Sequence, residues 1–171
     1  MTFTGAPASA PYLSTFTLAT TQNSGVTPTF ASTNHVICTV SGNVVTMIIG
    51  TGTCTVKATW ATNDYYLGTS LTQSTTATKL NTNTTITGTA TLTPSNHEKV
   101  TVYFGVTNGV NAVGGNVTVT ASSGETCTGT VLAGKCAVTF AAAGSKTLTA
   151  TYTGNPNNNA STSASFPLIV N

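Results

Sequence analysis

The chain has 171 residues and a net charge of +2, and only 5 % of its residues are charged, against roughly 25 % in an average soluble domain. Charge this sparse and dispersed excludes a nucleic-acid surface, which is built from clustered Lys and Arg. The longest apolar run, residues 44–49, is too short to cross a membrane as a helix, and residues 1–5 lack the basic start and apolar block of a signal peptide.

Short period-two segments separated by turn residues follow one another along the whole chain. In the first half they predict strands over 14–20, 26–31, 36–40, 43–49, 53–60 and 70–78, with breaks at 23–25, 41–42 and 50–52. In the second half they predict strands over 84–93, 99–106, 115–121, 126–131, 136–141, 145–153 and 164–170. Thr, the commonest residue, is β-branched and keeps an outer strand face wet without charge. No segment has a sustained helical period, so the predicted fold is all-β.

A six-residue string occurs twice, as Ala-Thr-Trp-Ala-Thr-Asn at 58–63 and as Ala-Thr-Tyr-Thr-Gly-Asn at 150–155. Each copy closes a period-two strand and follows a Gly-x-Cys-x-Val segment, at 52–56 and at 134–138. The repeat predicts two tandem copies of one β-domain, 1–79 and 80–171, each large enough to fold alone around a small core. Because the boundary segment contains neither Gly nor Pro, we expect a short linker that limits the swing of the two domains.

Four cysteines, one pair in each repeat, predict a disulfide framework. Cys38 and Cys54 each lie on the apolar face of a predicted strand, so both thiols are expected to point inward. Cys127 and Cys136 flank the turn at 132–134 and are expected to pair across a hairpin. The alternatives are buried free thiols or a zinc site, although no Cys-x-x-Cys spacing supports the metal. Oxidised pairs imply a cell surface, a periplasm or the medium.

Segments 115–119, 127–130, 134–136 and 143–152 carry, in order, Gly-Asn-Val-Thr-Val, Cys-Thr-Gly-Thr, Gly-Lys-Cys and Ala-Gly-Ser-Lys-Thr-Leu-Thr-Ala-Thr-Tyr. Through them the second half resembles the bacterial immunoglobulin-like (Big-type) repeat domains of surface and secreted proteins. The first half resembles a sister repeat through Gly-Thr-Gly-Thr-Cys-Thr-Val at 50–56. The resemblance covers almost the whole chain. It implies two tandem immunoglobulin-like Greek-key β-sandwich domains that work in arrays as stalk or adhesive modules.

The chain departs from that family after each aromatic strand. Such domains commonly carry Gly-Asp at this place, whereas this chain has Thr62-Asn63 and Gly154-Asn155. A calcium site needs several oxygen ligands, usually carboxylates, and the whole chain contains only three acidic residues. We therefore predict no metal site and no cofactor.

Two groups of apolar side chains are candidate binding surfaces. Trp60, Tyr65 and Tyr66 surround one loop and are the candidate ligand contacts, since aromatic rings stack on sugar rings. The alternative is that Trp60 caps the core, as Tyr152 would in the second repeat. The last predicted strand is a candidate assembly edge or, alternatively, simply the final strand of its own domain. Its apolar residues are Phe166, Leu168, Ile169 and Val170.

Few ionisable groups are present, and no Gly-x-Ser-x-Gly elbow occurs, so the sequence predicts no catalytic residue and no enzyme. The predicted function is that of a structural spacer of a bacterial extracellular surface protein or filament, with neighbouring repeats or copies of itself as partners. One alternative is a carbohydrate-binding or adhesive tip module that contacts surface glycans or proteins. Another is a phage or virion decoration domain. We expect an extracellular location with the signal peptide removed, no nucleic-acid partner and no membrane insertion.

Overall fold

The structure is a computed structural model, and it describes residues 1–21 and 25–171. These residues form seventeen strands and no helix, which confirms the all-β prediction. The chain divides into two compact units, Met1–Leu80 and Asn81–Asn171. Of the predicted break at 23–25, only Gly25 lies within the described residues.

Unit 1 contains nine strands in two layers. They are β1 (Thr2–Thr4), β2 (Ser9–Pro11), β3 (Thr15–Thr17), β4 (Ala19–Thr21), β5 (Thr29–Ser32), β6 (Cys38–Ser41), β7 (Val44–Met47), β8 (Thr53–Trp60) and β9 (Thr69–Thr78). One layer has the order β2-β9-β8-β5, and the other combines β1-β4 with β3-β7-β6. All pairings are antiparallel except that of β2 with β9. With β3 and β4 read as one strand, these layers follow the ABED and CFG order of immunoglobulin sandwiches.

Unit 2 contains eight strands in two layers. They are β10 (Asn83–Thr89), β11 (Lys99–Thr107), β12 (Asn116–Ala121), β13 (Thr126–Thr130), β14 (Lys135–Thr139), β15 (Gly144–Tyr152), β16 (Ser161–Thr162) and β17 (Phe166–Val170). One layer has the order β10-β11-β14. The other has the order β13-β12-β15, with β16 and β17 both pairing with β15. A β-bulge between Ile86 and Gly88 bends β10.

Each unit buries its own hydrophobic core between its layers. The unit 1 core includes Val45, Met47, Val56 and Trp60, and the unit 2 core includes fifteen buried residues, Phe140 among them. Most threonines of the strands lie on the outer faces, where some hydroxyls bond across strands, as those of Thr118 and Thr128 do at 3.0 Å, whereas Thr75 and Thr84 are buried. This arrangement gives most strands one apolar and one wet face with little charge. The two tandem immunoglobulin-like sandwiches expected from the sequence are confirmed.

The strand after β5 in unit 1 and the strand after the equivalent β12 in unit 2 join different layers. In unit 1, β6 pairs with β7, whereas in unit 2 the corresponding β13 pairs with β12. Consequently the two Gly-x-Cys-x-Val segments, which the sequence aligns, do not occupy equivalent strands. Cys54 lies in β8, the strand that ends at Trp60, but Cys136 lies in β14, one strand before the strand that ends at Tyr152.

Other differences from the predicted strands have local causes. The strand predicted from residue 36 begins at Cys38, and Val36 lies in a turn with 72 % of its side chain exposed. The segment before residue 14 contains two short strands, β1 and β2, that the sequence did not predict. Pro7 and Pro11 interrupt the alternation there, and proline in a strand is typical of a sheet edge.

Candidate functional site

Both disulfides connect the two layers of a sandwich. Cys38 of β6 is bonded to Cys54 of β8, with 5.6 Å between their Cα atoms, and both residues are fully buried. Cys127 of β13 is bonded to Cys136 of β14, with 5.8 Å between Cα atoms, and Cys127 is only half-buried. The expected pairing of Cys127 with Cys136 is present, but it does not cross a hairpin, because β13 and β14 belong to opposite layers. Each bond therefore ties one sheet to the other.

The backbones of β13 and β14 approach each other closely beside the unit 2 disulfide. A Cβ atom on Gly129 of β13 would come within 2.2 Å of the Lys135 carbonyl oxygen in β14. Only glycine therefore fits there without a backbone shift. The crossing between layers at this side is fixed both by the disulfide and by this contact.

The two repeated aromatic residues end equivalent strands and are both buried. Tyr152 is fully buried, and its hydroxyl donates a hydrogen bond of 2.9 Å to the Gly114 carbonyl. Burial raises the pKa of Tyr152 above its ordinary value. Trp60 is 2 % exposed, and its Nε1 has no acceptor among the described residues. Because the ring of Trp60 lies in the core and offers no face to solvent, Trp60 is removed from the candidate ligand contacts.

The loop after Trp60 is held by one asparagine and displays apolar side chains. The Asn63 carboxamide oxygen accepts bonds from the backbone N–H groups of Tyr65 and Tyr66, at 3.1 and 2.8 Å. Tyr65 is 86 % exposed, Tyr66 is 47 % exposed and Leu67 is 87 % exposed. The Thr62 hydroxyl accepts a bond from the Gly68 N–H and closes the loop. These side chains therefore lie on a locally bonded loop at the end of β8.

The loop after Tyr152 is held in the same way by the equivalent asparagine, Asn155, but it displays polar side chains. The Asn155 carboxamide oxygen accepts bonds from the N–H groups of Asn157 and Asn158, both at 2.8 Å. Its amide donates to the Gly114 carbonyl at 3.0 Å. Asn158 in turn accepts a bond from the Asn108 amide at 2.7 Å. An amide network thus joins two loops at one end of unit 2.

The sequence showed that both loops lack the expected acid, but it missed what the asparagines do instead. Asn63 and Asn155 each satisfy the N–H groups two and three residues ahead, which is an Asx turn. A carboxylate could accept the same bonds but could not donate to the Gly114 carbonyl. The signal was present in the sequence, since Asn occupies the sixth position of both copies of the repeated string.

The segment between β9 and β10 is short, and its second half is bonded to unit 2. The Asn159 amide donates to the Asn81 side chain at 2.9 Å, and the Thr82 hydroxyl donates to the Asn159 carbonyl at 2.8 Å. Ser161 shares hydroxyl bonds of 2.7 Å with Thr82 and with Thr84. The first residues of unit 2 are therefore anchored to the loop that follows Tyr152.

The candidate assembly edge is the last strand of its own sandwich. Leu168 and Val170 of β17 are buried, whereas Ile169 is 56 % exposed. Asn171 exchanges backbone hydrogen bonds with Pro94 and Asn96, on the side away from β15. Because backbone groups alternate along a strand, residue 167 also points its nitrogen to that side, and as proline it has no N–H to donate. The outer edge of β17 is thus a poor template for another strand.

A glutamate fixes a turn in unit 2. Glu125 accepts bonds from the Ser123 hydroxyl and from the Ala141 N–H. The Ser123 hydroxyl, followed by backbone N–H groups and the charge of Lys146, lowers the pKa of Glu125 below its ordinary value. Within residues 1–21 and 25–171, no three His, Cys, Asp or Glu side chains converge as a metal-ion site. The same residues include no helix long and apolar enough to span a bilayer.

Comparisons with known proteins find only likenesses to solved structures at low sequence identity. No protein-family model and no curated protein matches it. Fibronectin(III)-like modules of Clostridium thermocellum CbhA are 11 % identical, with a TM-score of 0.42 over 99 % of this chain and 93 % of that chain. Yersinia pseudotuberculosis adhesin InvE is 15 % identical, with a TM-score of 0.43 over 99 % of this chain and 58 % of InvE. Domains 4 and 5 of the S-layer protein SbsC are 18 % identical, with a TM-score of 0.32 over 98 % and 96 %. Likenesses at this level do not assign a function.

Proposed function

We propose that this chain is a structural spacer of a bacterial extracellular protein, built from two Big-type immunoglobulin-like domains, and that it performs no catalysis. The observation that carries the proposal is the placement of the two disulfides, each of which joins the two layers of one sandwich. The two layers of a sandwich must separate before its core can unfold. A covalent bond between layers opposes that separation, and it does so in domains whose cores are small.

The disulfides also indicate where the protein works. Structural disulfides persist in oxidising surroundings, which supports a location outside the cytosol. A chain that is 5 % charged gains little from surface ion pairs, so its stability is expected to change little with salt. Thiol titration of protein taken from its native source tests the compartment. Reduced cysteines there would instead favour a virion decoration domain assembled inside the cell.

Single-molecule force spectroscopy on the whole chain tests the spacer function. The Cys38–Cys54 bond spans 16 positions and the Cys127–Cys136 bond spans 9. At an extended length of roughly 3.5 Å per residue, the two bonds hide about 50 Å and about 25 Å of chain from extension. We expect two unfolding events in the oxidised protein, and a Cys38→Ser/Cys54→Ser variant should lengthen one of them by about 50 Å. Extension without a force peak, as for an unstructured chain, would contradict the proposal.

A second candidate function is an adhesive tip that stacks on carbohydrate rings, and the loop after Trp60 favours it. Both repeats build this loop on an asparagine turn, yet only unit 1 displays Tyr65, Tyr66 and Leu67 to solvent. Tyrosine provides a broad apolar face with a polar tip at low conformational entropy. Since a bonded loop spends little entropy on binding, its side chains are suited to contact a ligand.

A glycan array separates the adhesive tip from the spacer alone. We expect Tyr65→Ala to abolish binding to the glycans that the wild type recognises. Leu132→Ala removes a side chain that is 96 % exposed in unit 2 and should leave this binding unchanged. Fluorescence of Trp60, the only tryptophan in the chain, reports whether unit 1 stays folded in each variant. A wild-type chain that retains no glycan, or binding that survives Tyr65→Ala, rejects the tip and leaves the spacer unaffected.

A further inference from the structure

The loop between β11 and β12 contains the only asparagine of the chain that is followed by glycine, at Asn108-Gly109. The turn requires this glycine, since Gly109 has a φ of 74°. An asparagine side chain deamidates when the backbone nitrogen of the next residue attacks its carboxamide carbon. Glycine favours the attack, because it has no Cβ to hinder the nitrogen and its backbone rotates freely. Asn108 is therefore the asparagine of this chain with the most reactive neighbour.

The fold holds the groups that would have to react. The Gly109 N–H, whose nitrogen is the attacking atom, donates to the Thr107 hydroxyl at 3.1 Å. The Asn108 carboxamide oxygen accepts bonds from the N–H groups of Val110 and Asn111, at 2.9 and 3.0 Å, in an Asx turn. The nitrogen must lose its proton and the carboxamide must turn toward it before they can react. The bonds at both groups therefore have to break first.

The amide nitrogen that would leave is the group that joins this loop to the loop after Tyr152. The Asn108 amide donates bonds of 2.7 Å to the carboxamide oxygens of Asn111 and Asn158. Asn158 is 3 % exposed, and its own amide donates to the Asn155 oxygen at 3.1 Å. A carboxylate at position 108 has no hydrogen to donate. Deamidation therefore leaves the buried Asn158 oxygen without that donor and facing a negative charge.

We propose that Asn108 is a deamidation site controlled by the fold: opening of the end of unit 2 that carries the amide network permits the reaction, and the product prevents the network from forming again. In the open loop the Gly109 nitrogen bonds to the Asn108 Cγ, and the bond from Cγ to Nδ2 breaks. The Gly109 proton leaves with Nδ2 as ammonia, and a cyclic imide remains. Water, the other reactant, then opens the ring at either carbonyl and gives an aspartate or an isoaspartate.

The burial of Asn158 makes the change persistent. An exposed oxygen that lost its donor would bond to water, but a buried oxygen pays the full cost of the missing bond when the loop closes. The two loops therefore stay apart once position 108 has reacted. The inference is independent of the spacer function, because it concerns what opening does to the chain and not what causes the opening.

Deamidation of the full chain in folded and denatured samples tests the first step. Peptide mass after incubation at mildly alkaline pH measures conversion at Asn108, with both disulfides kept oxidised. We expect the folded chain to react at least about tenfold more slowly, since several hydrogen bonds must break together before attack. Thr107→Val removes the acceptor of the Gly109 N–H. It should raise the rate in the folded chain by about fivefold and leave the rate in the denatured chain unchanged.

Thr130→Val is the matched control, because it removes a hydroxyl that accepts the Ala133 N–H in another loop of unit 2. It should leave the rate at Asn108 unchanged. Amide exchange of β12 in the same samples reports whether either variant opens the whole unit. Equal rates in the folded and denatured wild type would overturn the proposal, as would a Thr107→Val rate that equals that of the wild type or of Thr130→Val.

The second step is tested with the charge of the product already in place. Asn108→Asp should lower the denaturant midpoint of unit 2 and speed exchange of the Asn158 amide by about fivefold or more. Asn116→Asp adds the same charge at an exposed position of β12 and should change neither. If Asn108→Asp proves as stable as Asn116→Asp, the network closes without the amide of Asn108, and the proposal is wrong.

Discussion

Trp60 and Tyr152 occupy the same position in two sandwiches, but among the described residues only the Tyr152 side chain has a hydrogen-bond partner for its polar atom. Each is the last residue of the strand that precedes the Asn-stabilised loop, and each is buried. The Tyr152 hydroxyl donates to the Gly114 carbonyl, whereas the Trp60 Nε1 meets no acceptor among the described residues. A buried donor without a partner costs stability, so the Trp60 N–H destabilises the core of unit 1, whereas the bonded Tyr152 hydroxyl does not destabilise the core of unit 2.

Substitution of the two aromatic residues by Phe should therefore differ in mechanism. Tyr152→Phe removes a made hydrogen bond and should cost about 1 kcal/mol of unfolding free energy, since the ring volume is kept. Trp60→Phe removes an unpaired N–H but leaves a cavity, so the two effects oppose each other. Denaturant titration followed by amide spectra of each unit measures both. A Tyr152→Phe chain as stable as the wild type would contradict the role given to its hydroxyl.

The two disulfides should be reduced in order. Cys127 is half-buried, while Cys38 and Cys54 are fully buried, so reductant reaches the unit 2 bond first. Alkylation and peptide mass measurement during reduction should label Cys127 and Cys136 before the other pair.

Loss of the Cys38–Cys54 bond, which we expect to be reduced more slowly, should lower the stability of unit 1. A loop of this length is worth about 3 kcal/mol on the chain-entropy account. The Cys38→Ser/Cys54→Ser variant should lower the denaturant midpoint seen by Trp60 fluorescence, and Cys127→Ser/Cys136→Ser should leave that midpoint in place. In the reduction experiment, simultaneous labelling of all four cysteines would contradict the expected order of reduction.

Asn155→Asp tests whether the amide, and not only the carboxamide oxygen, holds the unit 2 loop. The variant keeps acceptors for Asn157 and Asn158 but loses the donor to Gly114. We expect a loss of about 1–2 kcal/mol, since a carboxylate would face a carbonyl oxygen. Denaturant titration followed by amide spectra of unit 2 measures the loss, and an unchanged midpoint would contradict the role given to the amide.

Gly129→Ala should destabilise unit 2 by moving backbone. A Cβ there would lie 2.2 Å from the Lys135 carbonyl oxygen, so β13 and β14 must separate. We expect a loss of about 2 kcal/mol or more, as for other overpacked sites. Gly105→Ala is the matched control, because its Cβ meets only the Thr85 hydroxyl at 3.7 Å. Thermal unfolding that shifts equally in both variants would contradict the close approach.

Glu125 should make unit 2 sensitive to acid. Its pKa is lowered in the folded chain, so its stabilising contribution is present above the unfolded pKa of about 4.3 and is lost as the pH falls through the lower folded value. Glu125→Gln should flatten this part of the stability profile. Amide exchange of β12 and β15 between neutral pH and pH about 3 measures the effect. An unchanged slope in the variant would assign the acid sensitivity to other groups.

Most strands could be predicted from local pattern, because alternation of apolar and polar residues reports directly which face is buried. The strand predicted at 99–106 is one example, since alternate residues Val100, Val102 and Phe104 are buried in β11. Strand β1 was missed because it is only three residues long, and β2 because Pro11 lies within it; both are held by distant partners, β4 and β9. The Trp60 side chain was hard to place, since an aromatic residue at the end of a strand can either cap the core or face solvent.

The sequence alone determined the all-β class, the repeat of an aromatic strand and the presence of one cysteine pair in each half, because these follow from periodicity and spacing along the chain. Only the tertiary structure decided which layer receives the strand after β5 or β12, and hence which strands each disulfide joins. The physical reason is that β6 and β13 both alternate in the same way, and either layer can pair with such a strand. The choice rests on contacts with residues far away in the sequence, such as Cys54 for Cys38 and Lys135 for Gly129.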